Sequence, residues 1–558
     1  MASSSGPPSP VGAPPSRDGT AAGNLPVQSG HADLNHLVYA DQVTDPRGHA
    51  AFLLVLALAV AARVAVIAAY RPALLYHGDS PAYLDQAARR LWAGDWRPSG
   101  YPMFLRLLGA PDHLTRLVIA QHTLSLLAGV ALYATSRRLF ERCGPAAAAR
   151  GRGGWPAALV AAPALLAPWV LDLGQFVLAD SLFGTLALGG VLALAWPGGP
   201  STRRFALAGL LLGASVTVRT VGYGPIAVGA LGAVLLVVGH RRRAGDDGRR
   251  PPRLARPPRL ARPPRLARPP RLARLAAGTP VIAFVLAAAA PVVAYSAWSA
   301  SQGQGFTATA HSGFFLYGRV APFADCARLP EDPELRSLCD PRPVGERGSP
   351  VTYLWPDDSL LRQGNDLVPP GREELAGDFA HRVIREQPWM MISSTARYLG
   401  GYFLPVRYET ALTSRAGTWE LPRADTNRLP GGQPHATDGY FTVEERNGQL
   451  AGALAAWSPV SYPAMPLVGL GLLGGVLAGA VGWARGRPGP GPLFWLTAGA
   501  GMSTLLLSSL TSGFDYRYLG SVIGLLAPGA LLGAFGLARV LRAGPGGGID
   551  VTDEGENP

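Results

Sequence analysis

The chain has no lysine, so all 50 Lys-or-Arg positions are arginine, a pattern of coding bias rather than of chemistry. Charge is scarce. Only 16% of the 558 residues are charged while 48% are hydrophobic, and the apolar ones are gathered into blocks, which excludes a soluble protein. No P-loop, zinc-ligand spacing or Rossmann fingerprint is present to support a nucleotide-using enzyme. Met1–Gly48 is rich in Ser, Pro and Gly and has no apolar run, so disorder is expected. It also lacks a basic segment leading into an apolar core, so no cleavable signal peptide is expected and the first apolar run is a retained helix.

What remains is a series of roughly ten apolar runs, each near the length of about 20 residues that crosses a hydrocarbon core. They are Ala51–Tyr70, Leu114–Phe140, Trp155–Leu173, Phe176–Trp196, Phe205–Gly222, Gly224–Gly239, Leu275–Trp298, Pro459–Ala484, Pro492–Ser512 and Tyr518–Leu541. The expected fold is an all-α polytopic membrane protein of about ten spanning helices with a mixed extracytoplasmic loop domain. Its expected parts are a tail (1–48), a first membrane region (49–298), the loop domain (299–457), the last membrane helices (458–542) and a second tail (543–558). The third, fifth and sixth runs are short or interrupted by Gly and Pro.

The net charge of +13 does not indicate nucleic acid, because His240–Arg274 alone carries 13 arginines against two aspartates. There "RPPRLA" occurs four times in tandem, a low-complexity repeat unable to bury a core. Such a loop suits cytoplasm and contact with anionic membrane lipids. The other short basic loops, "RRLFERCGPAAAARGRGG", "STRR" and "RGRPG", fall on the same side of the run order. Positive-inside bias then places both termini in the cytoplasm and faces 71–113, 299–457 and the turn at Phe514–Arg517 outward. Cys326 and Cys339 share the outward loop, where a disulfide could persist, whereas Cys143 is cytoplasmic.

"HGDSPAYLDQAARRLWAGDWRPSGYP" (77–102) is elaborate for a connector. Ser80 as N-cap, Pro81 at the first helical position and Gly94 as a stop predict a helix, with Leu84, Ala87, Ala88 and Leu91 on one membrane-facing stripe. Asp85 and Arg89, four apart, read as an exposed pair. Asp79 precedes the N-cap, at the positive end of the helix dipole and within reach of a lipid head group. It is either a second cap or a base for an attacking hydroxyl.

"GDSPAYLDQAARRL…PSGYPMFLRLL" resembles the first external loop of the GT-C glycosyltransferases, in the family 39-like branch of the protein mannosyltransferases and the lipid A aminoarabinose transferase. "QHTLSLLAGVALYATSRRLF", "FVLADSLFGTLALGG", "GASVTVRTVGYG" and "FDYRYLGSVIGLLAPGALL" resemble further membrane segments of that branch. The resemblance implies a sugar transferred from a polyprenyl-phosphate carrier to an acceptor on the outer face, with inversion. It implies that Asp79 is the base or acceptor-orienting acid and that Tyr101 and Asp180 belong to the substrate site. Two positions depart from the family. Ser80 stands where many relatives carry a second acid, which weakens the case for a metal held by an acidic pair, so no cofactor is expected, a divalent metal being left open but without such a pair to support it. Asp180 stands where an outer-end Glu is frequent, and a buried helix-to-helix hydrogen bond is its alternative role.

Outward arginines run against the charge bias. Arg219 and Arg517 either bind a lipid phosphate through a guanidinium fork or snorkel and pair locally, for instance Arg517 with Asp515. Arg63, Gln121 and His122 read as internal helix-to-helix partners. "TATAHSGFFLYGRVAPF" places His311 and Arg319 among aromatics, suited to stacking on a sugar or to a packed core. "FAHRVIREQPWMMISSTARYLGGYFLP" reads as a helix along the outer membrane surface. The rivals to a transferase are a transporter or flippase of lipid-linked sugars and an inactive scaffold. The orientation predicts that a membrane-impermeant thiol reagent labels a single-cysteine variant at 326 in reduced intact cells, and not one at 143. The reverse pattern would invert the topology.

Overall fold

The computed structural model describes residues 46–76, 78–92, 96–110, 112–142, 154–247, 270–364, 366–410, 413, 419–422, 448–485 and 489–542. Residues 1–45 of the first expected tail, all of the second, most of the arginine repeat, Cys143, Gly94 and Asp95 lie outside these residues.

The apolar runs form helices. The first membrane region holds α1 (Ala50–Ala69), α2 (Asp79–Ala88), α3 (Gly100–Leu107), α4 (Leu114–Glu141), α5 (Gly154–Leu166), α6 (Pro168–Gln175), α7 (Ala179–Ala195), α8 (Thr202–Val218), α9 (Tyr223–Asp247) and α10 (Pro270–Ser301). Next come α11 (Ser312–Val320), α12 (Pro333–Arg336), α13 (Arg372–Glu386) and α14 (Pro388–Gly401). The chain closes with α15 (Gly448–Trp457), α16 (Ser461–Ala484), α17 (Pro492–Thr511) and α18 (Tyr516–Arg542). Eight helical segments among the described residues are long and apolar enough to cross a bilayer, which makes this a multi-pass membrane protein. The fourth and fifth runs give the 17-residue helices α7 and α8, below that length. The third run breaks at Ala167, because Pro168 cannot continue the hydrogen-bond ladder but suits the first position of α6.

Small residues let the membrane helices approach closely. Where α16 crosses α18, a Cβ at Gly533 would run into the carbonyl oxygen of Gly471, so only glycine fits there. The segment 299–413 has a second core around Phe314, Tyr317, Leu338, Phe379 and Val383. A mixed domain was expected here. Its described residues instead form helices and 3-10 turns, with only isolated bridges such as Gln363–Asp366. Cys326 and Cys339 are joined, with their Cα atoms 6.1 Å apart. The surface helix expected over 379–405 is two helices, since Pro388 restarts the chain after Gln387; Trp389 and Ile392 are exposed on the second.

Two features fix the ends of the membrane helices. After α1 the chain pairs with the α6–α7 joint, Leu74 donating its N–H to Gln175 (3.0 Å) and accepting from Val177 (2.9 Å). Arg319 on α11 is fully buried and ties α11 to α14 and α17. Its Nε donates to the Ser509 carbonyl (2.6 Å), and its Nη2 donates to Ser394 Oγ (2.8 Å) and Thr395 Oγ1 (3.0 Å). Tyr398 and Phe323 lie beneath its guanidinium. Of the two expectations for this stretch, the packed core is therefore what forms around Arg319.

Each buried acceptor that loses its donor costs about 1–3 kcal/mol. Arg319→Met is therefore expected to lower the thermal unfolding midpoint in detergent clearly. Arg397→Met, on the exposed face of α14, should change stability by no more than about 0.5 kcal/mol.

Candidate functional site

Three carboxylates stand at the start of three helices, where backbone N–H groups and the helix dipole favour an anion. Asp79 is the first residue of α2, after Gly78 at the cap position with φ of 79°. Asp180 is the second residue of α7. Asp515 immediately precedes α18, and its Oδ1 accepts the Arg517 N–H at 2.8 Å. The Leu74–Phe176 bridge sets α2 beside α7 and so gathers the first two.

Arg517 draws all three together. Its Nη1 donates to Asp79 Oδ2, and its Nε lies 3.8 Å from Asp180 Oδ2 and 3.9 Å from Asp515 Oδ2. Arg97 pairs with the other Asp79 oxygen, and Arg219 pairs with Asp180 Oδ1. The Tyr76 ring covers Arg517 at 4.6 Å and the Tyr518 ring covers Arg219 at 5.1 Å. Three guanidiniums thus face three carboxylates. Asp79, Asp180, Asp515 and Arg517 are each no more than 9% exposed, so the charges are satisfied chiefly by one another.

The carboxylates are not equivalent. Burial alone would raise the Asp79 pKa, but the charges of Arg97 and Arg517, the Arg517 hydrogen bond and the Arg219 charge hold it well below the usual carboxylate range. Burial prevails at Asp515, which is pushed up to about 6 against the pull of Arg517.

Several expectations are corrected here. Asp79 begins the helix rather than preceding a Ser80 cap. The Ser80 hydroxyl instead accepts from the Tyr76 N–H (2.8 Å) and donates to the Val177 carbonyl (2.8 Å), a second tie to the α6–α7 joint. Of the expected stripe, Leu84 and Ala87 are buried against protein, Ala88 is exposed, and Leu91 lies half-buried beyond the end of α2. Asp85 and Arg89 do form the exposed pair, at 2.7 Å.

Tyr101 is fully buried behind the cluster, its hydroxyl donating to Gln121 Oε1 at 2.9 Å. The Gln121 amide in turn donates to the carbonyls of Gly174 and Phe176, both at 3.0 Å. His122 contacts Gln175, and Arg63 is held by Ala59, Leu165 and Ser125. His311 precedes α11, its ring stacked 4.0 Å from that of Trp96 and its Nδ1 3.6 Å from Glu373 Oε2. Sequence reasoning did not single out Arg97, although it is an outward arginine by the same charge argument that drew attention to Arg219 and Arg517.

A cleft opens beside Asp180 between α4, α5, α6, α7 and α18. Ala128, Ala164, Val170, Leu173, Leu188 and Leu525 supply most of its wall, and Ser125, Ser181, Thr185 and Ser521 add hydroxyls to it. Asp180 and Leu188 lie two turns apart on α7, so the cleft runs about 12 Å along the helix. Among the described residues no group of three or more His, Cys, Asp or Glu side chains is placed to hold a metal ion. Comparison with protein-family models finds no match, and comparisons with curated proteins and with solved structures find none either. The family resemblance rests on its motifs alone.

The raised Asp515 fixes the sign of a pH effect. Its folded pKa lies above the ordinary value of about 3.9, so the native state binds this proton more tightly than the unfolded chain. The associated stability is complete below about pH 4 and lost as pH rises through about 6. The thermal midpoint should therefore fall between pH 5 and 7 by a component absent from Asp515→Asn. Asp79, already ionised in both states there, adds nothing in that window.

Proposed function

We propose that the protein is a membrane glycosyltransferase of GT-C type. It moves a sugar from a polyprenyl-phosphate carrier to a hydroxyl acceptor on the extracytoplasmic face of the cell membrane. The observation that carries this reading is the arginine–aspartate cluster beside an apolar cleft between membrane helices. A lipid-linked anion has the same two parts, an apolar chain and a charged head. Guanidinium is suited to the head because its fork matches phosphate oxygens as well as carboxylate oxygens. The positive-inside pattern supports the outward orientation, with both termini cytoplasmic.

In this reading the cleft widens to admit the phosphate-proximal end of the isoprenoid chain, and the phosphate displaces carboxylates from Arg219 and Arg517. The acceptor oxygen bonds to the anomeric carbon as the bond from that carbon to the phosphate oxygen breaks. The electron pair of that bond leaves on the phosphate, where both arginines stabilise the added charge. The hydroxyl proton passes to Asp79. Clamped by two arginines, Asp79 is a weak base, and its basicity rises when phosphate draws Arg517 away. Asp180 anchors Arg219, Tyr101 braces the site from behind, and His311 supplies a ring for stacking on a sugar.

Purified protein in lipid nanodiscs, given radiolabelled polyprenyl-phosphate sugars and candidate acceptors, should form product. Lipid-dependent flux without transfer in proteoliposomes would replace this reading with a transporter. Asp79→Asn should lower turnover by about 10²–10⁴-fold without weakening donor binding, since the phosphate no longer competes with the Asp79 carboxylate for Arg517. Asp85→Asn should stay within roughly threefold of the parent. Near-normal turnover in Asp79→Asn would mean that another carboxylate takes the proton.

A further inference from the structure

Trp96 and Arg97 are adjacent in the chain but serve different cores. The Trp96 ring packs against the second core, 4.0 Å from the His311 ring and nearly parallel to it, 4.6 Å from Phe314 and 5.2 Å from Trp355. Arg97 turns the other way, to Asp79, with the Tyr83 ring 5.8 Å from its guanidinium.

The chain after Arg97 is held. Pro98 and Ser99 are buried, and the Ser99 N–H donates to the Tyr295 hydroxyl at 3.0 Å. Gly100 follows at a point where a Cβ would collide with the Thr217 carbonyl. Adjacent Cα atoms stay about 3.8 Å apart, so with the downstream side fixed a displacement of Trp96 is passed to Arg97.

We propose that Trp96–Arg97 is a positioning element through which the 299–413 segment governs Asp79. With Trp96 seated among His311, Phe314 and Trp355, Arg97 stays on the carboxylate. A ligand or movement that unseats Trp96 withdraws Arg97 and leaves one carboxylate oxygen open to a hydroxyl. The consequence for catalysis rests on the transferase reading above. The mechanical coupling does not.

The groups facing Asp79 are Arg97, Arg517 and Arg219, with Tyr83 on its own helix and Asp180 and Asp515 across Arg517. Removing Arg97 takes away one of the charges that keep Asp79 ionised. A water-soluble carbodiimide with glycine ethyl ester reports this directly, because it reacts with protonated carboxyls.

Full-length protein in detergent would be labelled at pH 5 and each carboxylate quantified by peptide mass spectrometry. Each unit of pKa changes the protonated fraction by about tenfold, so Arg97→Gln should raise Asp79 labelling by about tenfold or more. Arg97→Lys should keep it near the parent. Trp96→Ala should raise Asp79 labelling in the same direction, and Trp96→Phe by less, about threefold. Asp85 and Asp340 should not change in any variant.

Parent-like Asp79 labelling in a folded Trp96→Ala protein would overturn the coupling, as would an unchanged value in Arg97→Gln. If Trp96→Ala fails to give a cooperative thermal transition, Trp96→Phe decides, and parent-like labelling there is equally fatal. A matching rise at Asp85 and Asp340 would show general loosening and overturn the proposal as well. No sugar transfer enters this measurement, so failure of the transferase reading would appear only in the nanodisc assay.

Discussion

A guanidinium moved out of water into a packed interior costs several kcal/mol unless anions meet it with good geometry. Arg517 faces that constraint in an acute form. It is buried, and it sits in the first turn of a 27-residue helix, where the dipole disfavours a cation. Asp79 arrives from α2, Asp180 from α7 and Asp515 from the turn before α18. Each of these carboxylates is stabilised by its own helix start, so one arrangement meets the needs of three anions and one cation. Arg97 and Arg219 then complete the balance. Much of the order at this end of the membrane helices follows from that single requirement.

A neutral ion cluster is not by itself a sign of catalysis, since breaking a buried pair is costly whatever the pair does. The proposed function draws on its surroundings as well. A mostly apolar cleft lies beside Asp180, and Asp79 and Asp515 are driven in opposite directions by charge and burial. Paired titratable groups with separated pKa values are a frequent arrangement at functional sites.

The membrane architecture was legible because apolar length is a direct physical signal. Every apolar run became helical, and the break at Pro168 fell where an interruption was suspected. The 299–413 segment was less legible: its helices are short and held by a disulfide, Arg319 and an aromatic core, all long-range features that periodicity does not encode. The site was legible in part. Asp79, Arg219, Asp180 and Arg517 were singled out and do converge, while the convergence itself depends on contacts as remote in sequence as Asp79 with Arg517. Arg97 went unremarked although it lies in the same outward segment as Asp79. Tyr101 and His311, which were also singled out, face a helix joint and an aromatic core rather than the charges.

The bridge between Leu74 and Phe176 gives the cluster a common origin of measurement. Counted from it, Asp79 and Asp180 stand five and four residues along their respective strands of chain, and the Ser80–Val177 hydrogen bond ties the two stretches a second time. Apart from Tyr76, whose ring covers Arg517, and Gly78, with its positive φ, side chains within these two short spans can vary as long as the backbone route is kept. Inserting or deleting even one residue would move a carboxylate by about 3 Å relative to Arg517, the full reach of a hydrogen bond. Lineages carrying this arrangement should therefore record freedom in composition and strictness in length across these spans, the reverse of what surface connectors usually show.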